Sequence, residues 1–402
     1  MIASEIGTTI EFIDNDEAFT LLCANWLKVA SLAVDTEFMR TNTFYAKLGL
    51  LQVGEGNNVY LIDPLKINDW TPLKSVCESD SVEFIFHSCS EDLSVFLSQF
   101  GFVPRRIFDT QLAAAFLGIG ANISYAGLVS HCLDIEVDKD ATRTDWLQRP
   151  LTDAQLSYAS ADVLYLNQIR ELLGQELVQR SFDKWFAEEC SSLIASAISI
   201  ECEDSWLLAY RNVSNAWRLD DRGLAILREL ALWREKTARS RNKPRNWIVK
   251  DAELYDIANT ASAYLRSGAS EVSCRLLRKE GVLKELDSQF ILRNEESLDA
   301  CLSMAANRDG QLLSRPSGPL SKEQRSLLKK LQISVESHAN SLSIGAEVLG
   351  KKRQLLAYLE CNLGGLTDKN DGSCWPPELS PWKKAILLPE FQRIYSKHLS
   401  SN

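Results

Sequence analysis

The feature that most limits the folds open to this chain is a change of hydrophobic period near Ile119. Before it, short β-type runs (TTIEFI, SLAVDTEF, LGLLQVG, NNVYLID, EFIFHS, RRIFD) alternate with amphipathic helical stretches such as DEAFTLLCANWLKV and DLSVFLSQF. After it the period-2 signal vanishes, and residues 124–401 read as helix interrupted by polar or Pro/Gly connectors. The expected architecture is an α/β domain followed by all-α segments. KLGLLQVGEGNNVYLID reads as a hairpin turning through Gly54, Glu55, Gly56 and Asn57, so the sheet should be mixed, antiparallel strands first and parallel ones later. One long helix is expected from Thr152, where Thr152 and Gln155 have capping-box spacing, through SYASADVLYLNQIRELLGQELVQ. The stretch ISIECEDS at 198–205 reads as a domain linker, and NRDGQLLSRPSGPL at 307–320 as a loop beside a further helical block.

Other classes are set aside by what the chain lacks. No apolar run approaches the ~20 residues that span a bilayer. The start, MIASEIGTTIEFIDNDE, has no export-signal pattern, so a cytoplasmic protein is expected. Ten scattered cysteines without a CxxC pair read as free thiols. Without GxGxxG or GxxxxGK[ST], and with four histidines, neither a nucleotide-dependent enzyme nor a histidine-based hydrolase is suggested. DKNDGSC, near Asp368, lacks calcium-loop spacing and reads as a turn. A net charge of −10 confines any nucleic-acid binding to a local basic patch.

Three acidic signals carry chemistry. In VDTEF, alternation along the strand puts Asp35 and Glu37 on one face and Val34 and Thr36 on the other. In HSCSEDLSVF a strand ends at His87 and a helix begins, with Ser88 and Glu91 at capping-box spacing and Asp92 in the first turn. In YASAD, Tyr158 and Asp162 lie at i and i+4, on the same side of the long helix. Read singly, each has a structural explanation: a solvated strand end, an acid complementing a helix dipole, and an ordinary amphipathic face. Jointly, four carboxylates can converge on hard divalent cations. Oxygen ligands alone favour Mg2+ or Mn2+, and two such ions can stabilise both attacking and leaving oxygens of a phosphodiester. A phenol beside the fourth acid can orient or help deprotonate the attacking water.

These residues resemble the DEDD exonucleases of the tyrosine subclass, and within them the ribonuclease D family. VDTEFMRTNTFYAKLGLLQV, HSCSEDLSVF, FDTQLAAAFLG, TRTDWLQRPL and YASADVLYL follow in that family's order across Val34–Leu166, with Asp92 and Asp162 placed 57 and 127 residues after Asp35. The resemblance implies a ribonuclease H-like catalytic domain in which Asp35, Glu37, Asp92 and Asp162 hold two metal ions and Tyr158 positions the water. It also implies that Phe38, Met39 and Arg40 line the slot for the terminal nucleotides; His87, near the site, is a further candidate for substrate contact. The activity implied is removal of nucleotides from RNA 3′ ends as 5′-monophosphates, with tRNA precursors as substrate. A DNA exonuclease of the same superfamily is the alternative, and a noncatalytic RNA-binding protein stands behind both.

Within REKTARSRNKPRNWIVK, Arg234, Lys236, Arg239, Arg241, Lys243, Arg245 and Lys250 face one acid, Glu235. Phosphate contacts from this patch, with Trp247 beside it, suit RNA; a solvated loop between helices explains it as well. The surrounding stretch LAILRELALWREKTARSRNKPRNWIVKDAELYDIA resembles the HRDC domain, of which ribonuclease D carries two in tandem; the proline-containing turn of such domains is missing after IANTASAYL. The second block rests on EVLGKKRQLLAYLE and PELSPWKKAILLPEF. The expectation is therefore a catalytic domain at 1–204 and HRDC-like helical domains at 205–298 and 299–402, acting as a monomer.

Overall fold

The computed structural model describes residues 9–137, 144–269, 271–279, 288–306, 313–363 and 372–400. The six β-type runs become strands of one sheet: β1 (Thr9–Ile13), β2 (Ser31–Met39), β3 (Lys47–Glu55), β4 (Asn58–Ile62), β5 (Glu83–Phe86) and β6 (Ile107–Asp109), ordered β1-β4-β3-β2-β5-β6. β3 and β4 pair antiparallel through the expected hairpin, β2 pairs antiparallel with β3, and β5 and β6 add in parallel beside β2. The first strand also pairs in parallel, with β4, so it forms an edge, and its Ile10 and Phe12 stay exposed. The central strands are apolar on both faces because helices cover both; Leu50, Leu51, Val53, Phe84 and Ile85 are buried.

Among the described residues eight helices lie between and after these strands: α1 (Asp16–Trp26), α2 (Thr71–Cys77), α3 (Ser90–Phe100), α4 (Thr110–Phe116), α5 (Tyr125–Leu133), α6 (Asp153–Leu164), α7 (Leu166–Gln179) and α8 (Asp183–Ile200). Side-chain caps start several of them: Asn15 on α1, Ser124 on α5, and on α6 the capping box of Thr152 and Gln155 read from the sequence. Gly101, in the left-handed conformation (φ 77°), ends α3. Two glycines of β3 allow close packing. A Cβ on Gly54 would lie 3.0 Å from the carbonyl of Val163 in α6, and one on Gly49 would lie 2.6 Å from the carbonyl of Trp146.

Two local expectations need correction. The long helix is interrupted at Tyr165, because the Tyr125 hydroxyl donates to Ala161 O (2.7 Å) and accepts from Tyr165 N (3.3 Å), replacing the direct bond between those two backbone groups. The Ser88/Glu91 capping box does not form. Ser88 takes a left-handed conformation (φ 67°), α3 begins two residues later, and the Asp109 carboxylate satisfies the turn by accepting from Ser88 N (3.2 Å) and Cys89 N (2.8 Å).

The described chain forms two compact units, residues 40–45 with 198–320, and the remainder. In the first, α9 (Glu203–Trp206), α10 (Asp221–Ser240), α11 (Arg245–Ile248), α12 (Asp251–Arg266), α13 (Cys274–Lys279) and α14 (Ser288–Ala306) surround a core of Leu224, Leu227, Leu230, Leu254, Ile257 and Leu302. Helix α14 passes through residue 299 without a break and packs on α10. In the second unit, α15 (Lys322–Leu342), α16 (Ala346–Leu349), α17 (Lys352–Leu363) and α18 (Pro381–Ser400) group with the sheet. Gly345 N donates to Ala115 O (2.7 Å), and Arg180 to the carbonyls of Leu342 (2.9 Å) and Ser343 (2.7 Å). Trp185 and Trp382 stack at 4.6 Å. Of DKNDGSC, residues 368–371 lie outside the described residues, as do 307–312 of the expected loop. All ten cysteines are free thiols, and among the described residues no helix is long and apolar enough to cross a membrane.

Candidate active site

Asp35 and Glu37 leave the same face of β2 near its end, and Asp162 descends from the last turn of α6, which packs on β2, β3 and β4. One carboxylate oxygen from each lies within 4.8 Å of the others. Asp92 stands apart from this three-way cluster. It is buried in the first turn of α3, which packs on β2 and β3, and accepts a hydrogen bond from the Thr36 hydroxyl (2.5 Å). Thr36, which alternation turns away from Asp35 and Glu37, therefore tethers the fourth acid. Tyr158, one turn before Asp162, hydrogen-bonds to it, and Trp146 packs 6.2 Å from its ring.

The electrostatics are those of a site built for positive charge. Burial raises Asp35 well above the usual carboxylate range, and the charges of Asp92, Asp162 and Glu37 raise it further. Burial, then Asp162 and Asp92, push Glu37 up to about 8. Burial likewise lifts Asp92 to about 7 against the opposing Thr36 hydrogen bond, and Asp162 to about 7 against that of Tyr158. The Tyr158 hydroxyl is raised by burial and by Asp162, Glu37 and Asp35. Packed acids in a poorly solvated site repel one another and hold protons; a divalent cation removes both penalties. The donors are all oxygens, without Cys or His, which suits a hard cation such as Mg2+ or Mn2+.

Of the other expected contacts, Phe38 and Met39 are half-buried at the end of β2, whose register shifts between Glu37 and Phe38, and Arg40 is exposed. His87 has both ring nitrogens engaged within the protein: Nε2 lies 3.1 Å from Ile123 O and Nδ1 2.9 Å from the Thr110 hydroxyl, and burial lowers its pKa.

In the helical unit the basic residues divide. Arg234 is buried, bonding Asp251 (2.7 Å) and Val249 O (3.1 Å). The Arg239 guanidinium bonds Glu235 and Glu201 and stacks on Phe44 and Trp206. Lys236 is exposed beside Glu203 (2.6 Å), and exposed Arg241 donates to Asn294 (2.9 Å). Arg245 is exposed and bonds Glu235, while Lys243 lies 5.8 Å from the ring of exposed Trp247. Asn242 accepts from Phe44 N (3.0 Å) and Tyr45 N (2.9 Å), fixing the loop that follows β2 within this unit.

Sequence reasoning missed Thr36, Tyr125 and the Arg149–Asp63 pair (2.6 Å), through which Arg149, also bonded to Gly49 O, fastens the loop carrying Trp146. Their roles come from contacts between distant segments, which no local pattern encodes.

A 3′-5′ exonuclease family model matches residues 10–178, and an HRDC domain model matches 223–264. Ribonuclease D of Pseudomonas paraeruginosa is 37% identical over 353 residues, covering 87% of this chain and 89% of that protein. Ribonuclease D of Escherichia coli is 34% identical, covering 96% and 99%. The crystal structure of the Escherichia coli enzyme, described as an exoribonuclease involved in structured RNA processing, superposes with a TM-score of 0.81 at 30% identity, covering 97% of this chain and 99% of that one. With its ribonuclease H-like mixed sheet, its clustered carboxylates and its HRDC helices, the chain belongs to the ribonuclease D family of 3′→5′ exoribonucleases.

Proposed function

We propose that this exoribonuclease removes one nucleotide at a time from RNA 3′ ends by hydrolysis at two divalent cations, Mg2+ or Mn2+, releasing 5′-monophosphates, and that tRNA precursors with 3′ extensions are its substrates. The observation that carries the reading is the convergence of Asp35, Glu37 and Asp162 within 4.8 Å, with Asp92 close enough to raise the pKa of two of them. Asp35, Glu37, Asp92 and Asp162 would hold the cations, whose chemistry is to lower the pKa of water and to neutralise charge on the attacking and leaving oxygens. Tyr158, hydrogen-bonded to Asp162 and facing the acids, would orient or help deprotonate the attacking water. Phe38, Met39 and Arg40, at the end of β2, contact the terminal nucleotides, while His87 supports the β5–α3 turn from within.

RNA outside the catalytic site meets the exposed residues Lys236, Arg241, Lys243, Arg245 and Trp247, whereas the ion pairs of Arg234 and Arg239 keep those two in the fold. In functional terms residues 1–204 catalyse and the helices of 205–402 are HRDC-like, their two segments parting after α14 and not at 299, in a monomeric, cytoplasmic enzyme. The test is Asp35→Asn and Asp162→Asn on a 5′-labelled RNA and a matched DNA in Mg2+ or Mn2+. Each variant should lose roughly a thousandfold in rate, on the order of 4 kcal/mol of transition-state stabilisation. Either variant trimming RNA at the wild-type rate overturns the assignment, and equal digestion of DNA overturns the substrate class.

A further inference from the structure

Strand β3 is covered on both faces, and every residue from Leu48 to Gly54 is buried. Gln52 is the one polar side chain in that run. It is 0% exposed, and neither its amide nitrogen nor its amide oxygen has a hydrogen-bond partner in the protein. Its position is specific: the antiparallel register sets Gln52 directly opposite Asp35, as it sets Leu50 opposite Glu37. Opposed residues of an antiparallel pair project from the same face, with Cβ atoms about 4.5–5.5 Å apart. Gly54, two residues on and hence on that face, packs against Val163, the neighbour of Asp162. Gln52 thus lies on the floor of the acidic site, beside Asp35 and beneath α6.

A buried carboxamide is destabilising when unpaired, and it offers two N–H donors and an acceptor. A carboxylate that gives one oxygen to a cation keeps lone pairs for a neighbouring donor, and such outer contacts orient metal ligands and tune affinity. We propose that Gln52 is a positioning residue of the cation site: its amide, unpaired in the metal-free protein, is the donor that Asp35 takes up when its carboxylate turns to hold the cation. The inference rests on reading the acids as a cation site. It gives a function to the single polar side chain of the buried run from Leu48 to Gly54, where leucine would pack without an unpaired group.

The test compares full-length wild type, Gln52→Met, which keeps the length of the side chain without the amide, and Gln52→Leu. Mn2+ affinity is measured by titration calorimetry, and melting of the metal-free proteins by thermal denaturation. Expected is a loss of Mn2+ affinity of roughly tenfold or more, with the metal-free melting temperature unchanged or raised because an unpaired buried amide has been removed. Wild-type Mn2+ affinity in Gln52→Met overturns the proposal. So does a metal-free melting temperature that falls in both variants, since Gln52 is then a packing residue. Asp35→Asn separates the two levels: if its Mn2+ affinity is also that of wild type, the cation-site reading itself has failed.

Discussion

At the scale of the residue, the acids show how a site can be assembled at the expense of the metal-free fold. Glu37 near 8 and Asp92 and Asp162 near 7 bind protons more tightly in the folded state than in an unfolded chain, where such groups sit near 4.5 and 3.8. Raised carboxylate pKa values contribute stability that is complete below the unfolded values and is lost as pH rises through the folded ones. The metal-free protein should therefore melt at progressively lower temperature from about pH 5 to pH 8, and Mg2+ should raise the melting temperature most at the alkaline end. Thermal denaturation across that range, with Asp162→Asn as the reference, checks it. A Mg2+ effect of equal size at both ends would count against the coupling. Much of this was legible in the sequence, since Asp35, Glu37, Asp162 and Tyr158 obey strand and helix periodicity. Thr36 was not, because its partner lies 56 residues away.

At the scale of the element, the break between α6 and α7 decides where Asp162 stands. Helical pattern runs unbroken through Tyr165, and local propensity has nothing to stop it. The interruption comes from one hydroxyl, that of Tyr125, entering the backbone ladder between Ala161 and Tyr165. Tyr125→Phe removes the bridge while keeping the ring. The carbonyl and amide must then pair directly, shifting the turn that bears Asp162, or remain unpaired at a cost of about 1–3 kcal/mol. The expected result is a lower melting temperature together with altered hydrogen exchange at the Tyr165 amide; unchanged exchange there would rule out the wedge. The capping boxes make the same point from two sides. The one at Thr152 forms because its partners are three residues apart and nothing competes, whereas the one at Ser88 yields to Asp109, a stronger acceptor supplied by β6.

For the molecule as a whole, the last helices are joined to the catalytic half by more than chain connectivity. Lys383, 1% exposed, pairs with Glu189 (3.1 Å), which also accepts from Ser380 and Trp382. Glu189→Ala should cost about 3–5 kcal/mol by leaving a buried ammonium unpaired, whereas Lys383→Met should cost much less, because the carboxylate it leaves is partly exposed and still accepts from Ser380 and Trp382. Equal losses in denaturant unfolding would exclude that asymmetry. Truncation before Ser205 would remove these helices, so RNA recognition is better tested on the exposed surface. Lys243→Ala with Trp247→Ala should weaken binding to structured tRNA and lower its salt dependence, while trimming of short unstructured RNA is unchanged; tRNA affinity equal to wild type would remove this surface from the binding site. Alternation of period 2, then period 3.6, determined the α/β-to-all-α order of the chain, and the acids at strand and helix ends determined its chemistry, because both are encoded within a few neighbouring residues. Only tertiary structure decided which arginines are ion-paired inside the fold, which helices group with the sheet, and that Gln52 lies opposite Asp35. Those outcomes depend on desolvation and on contacts between segments far apart in the chain, and a local pattern carries neither.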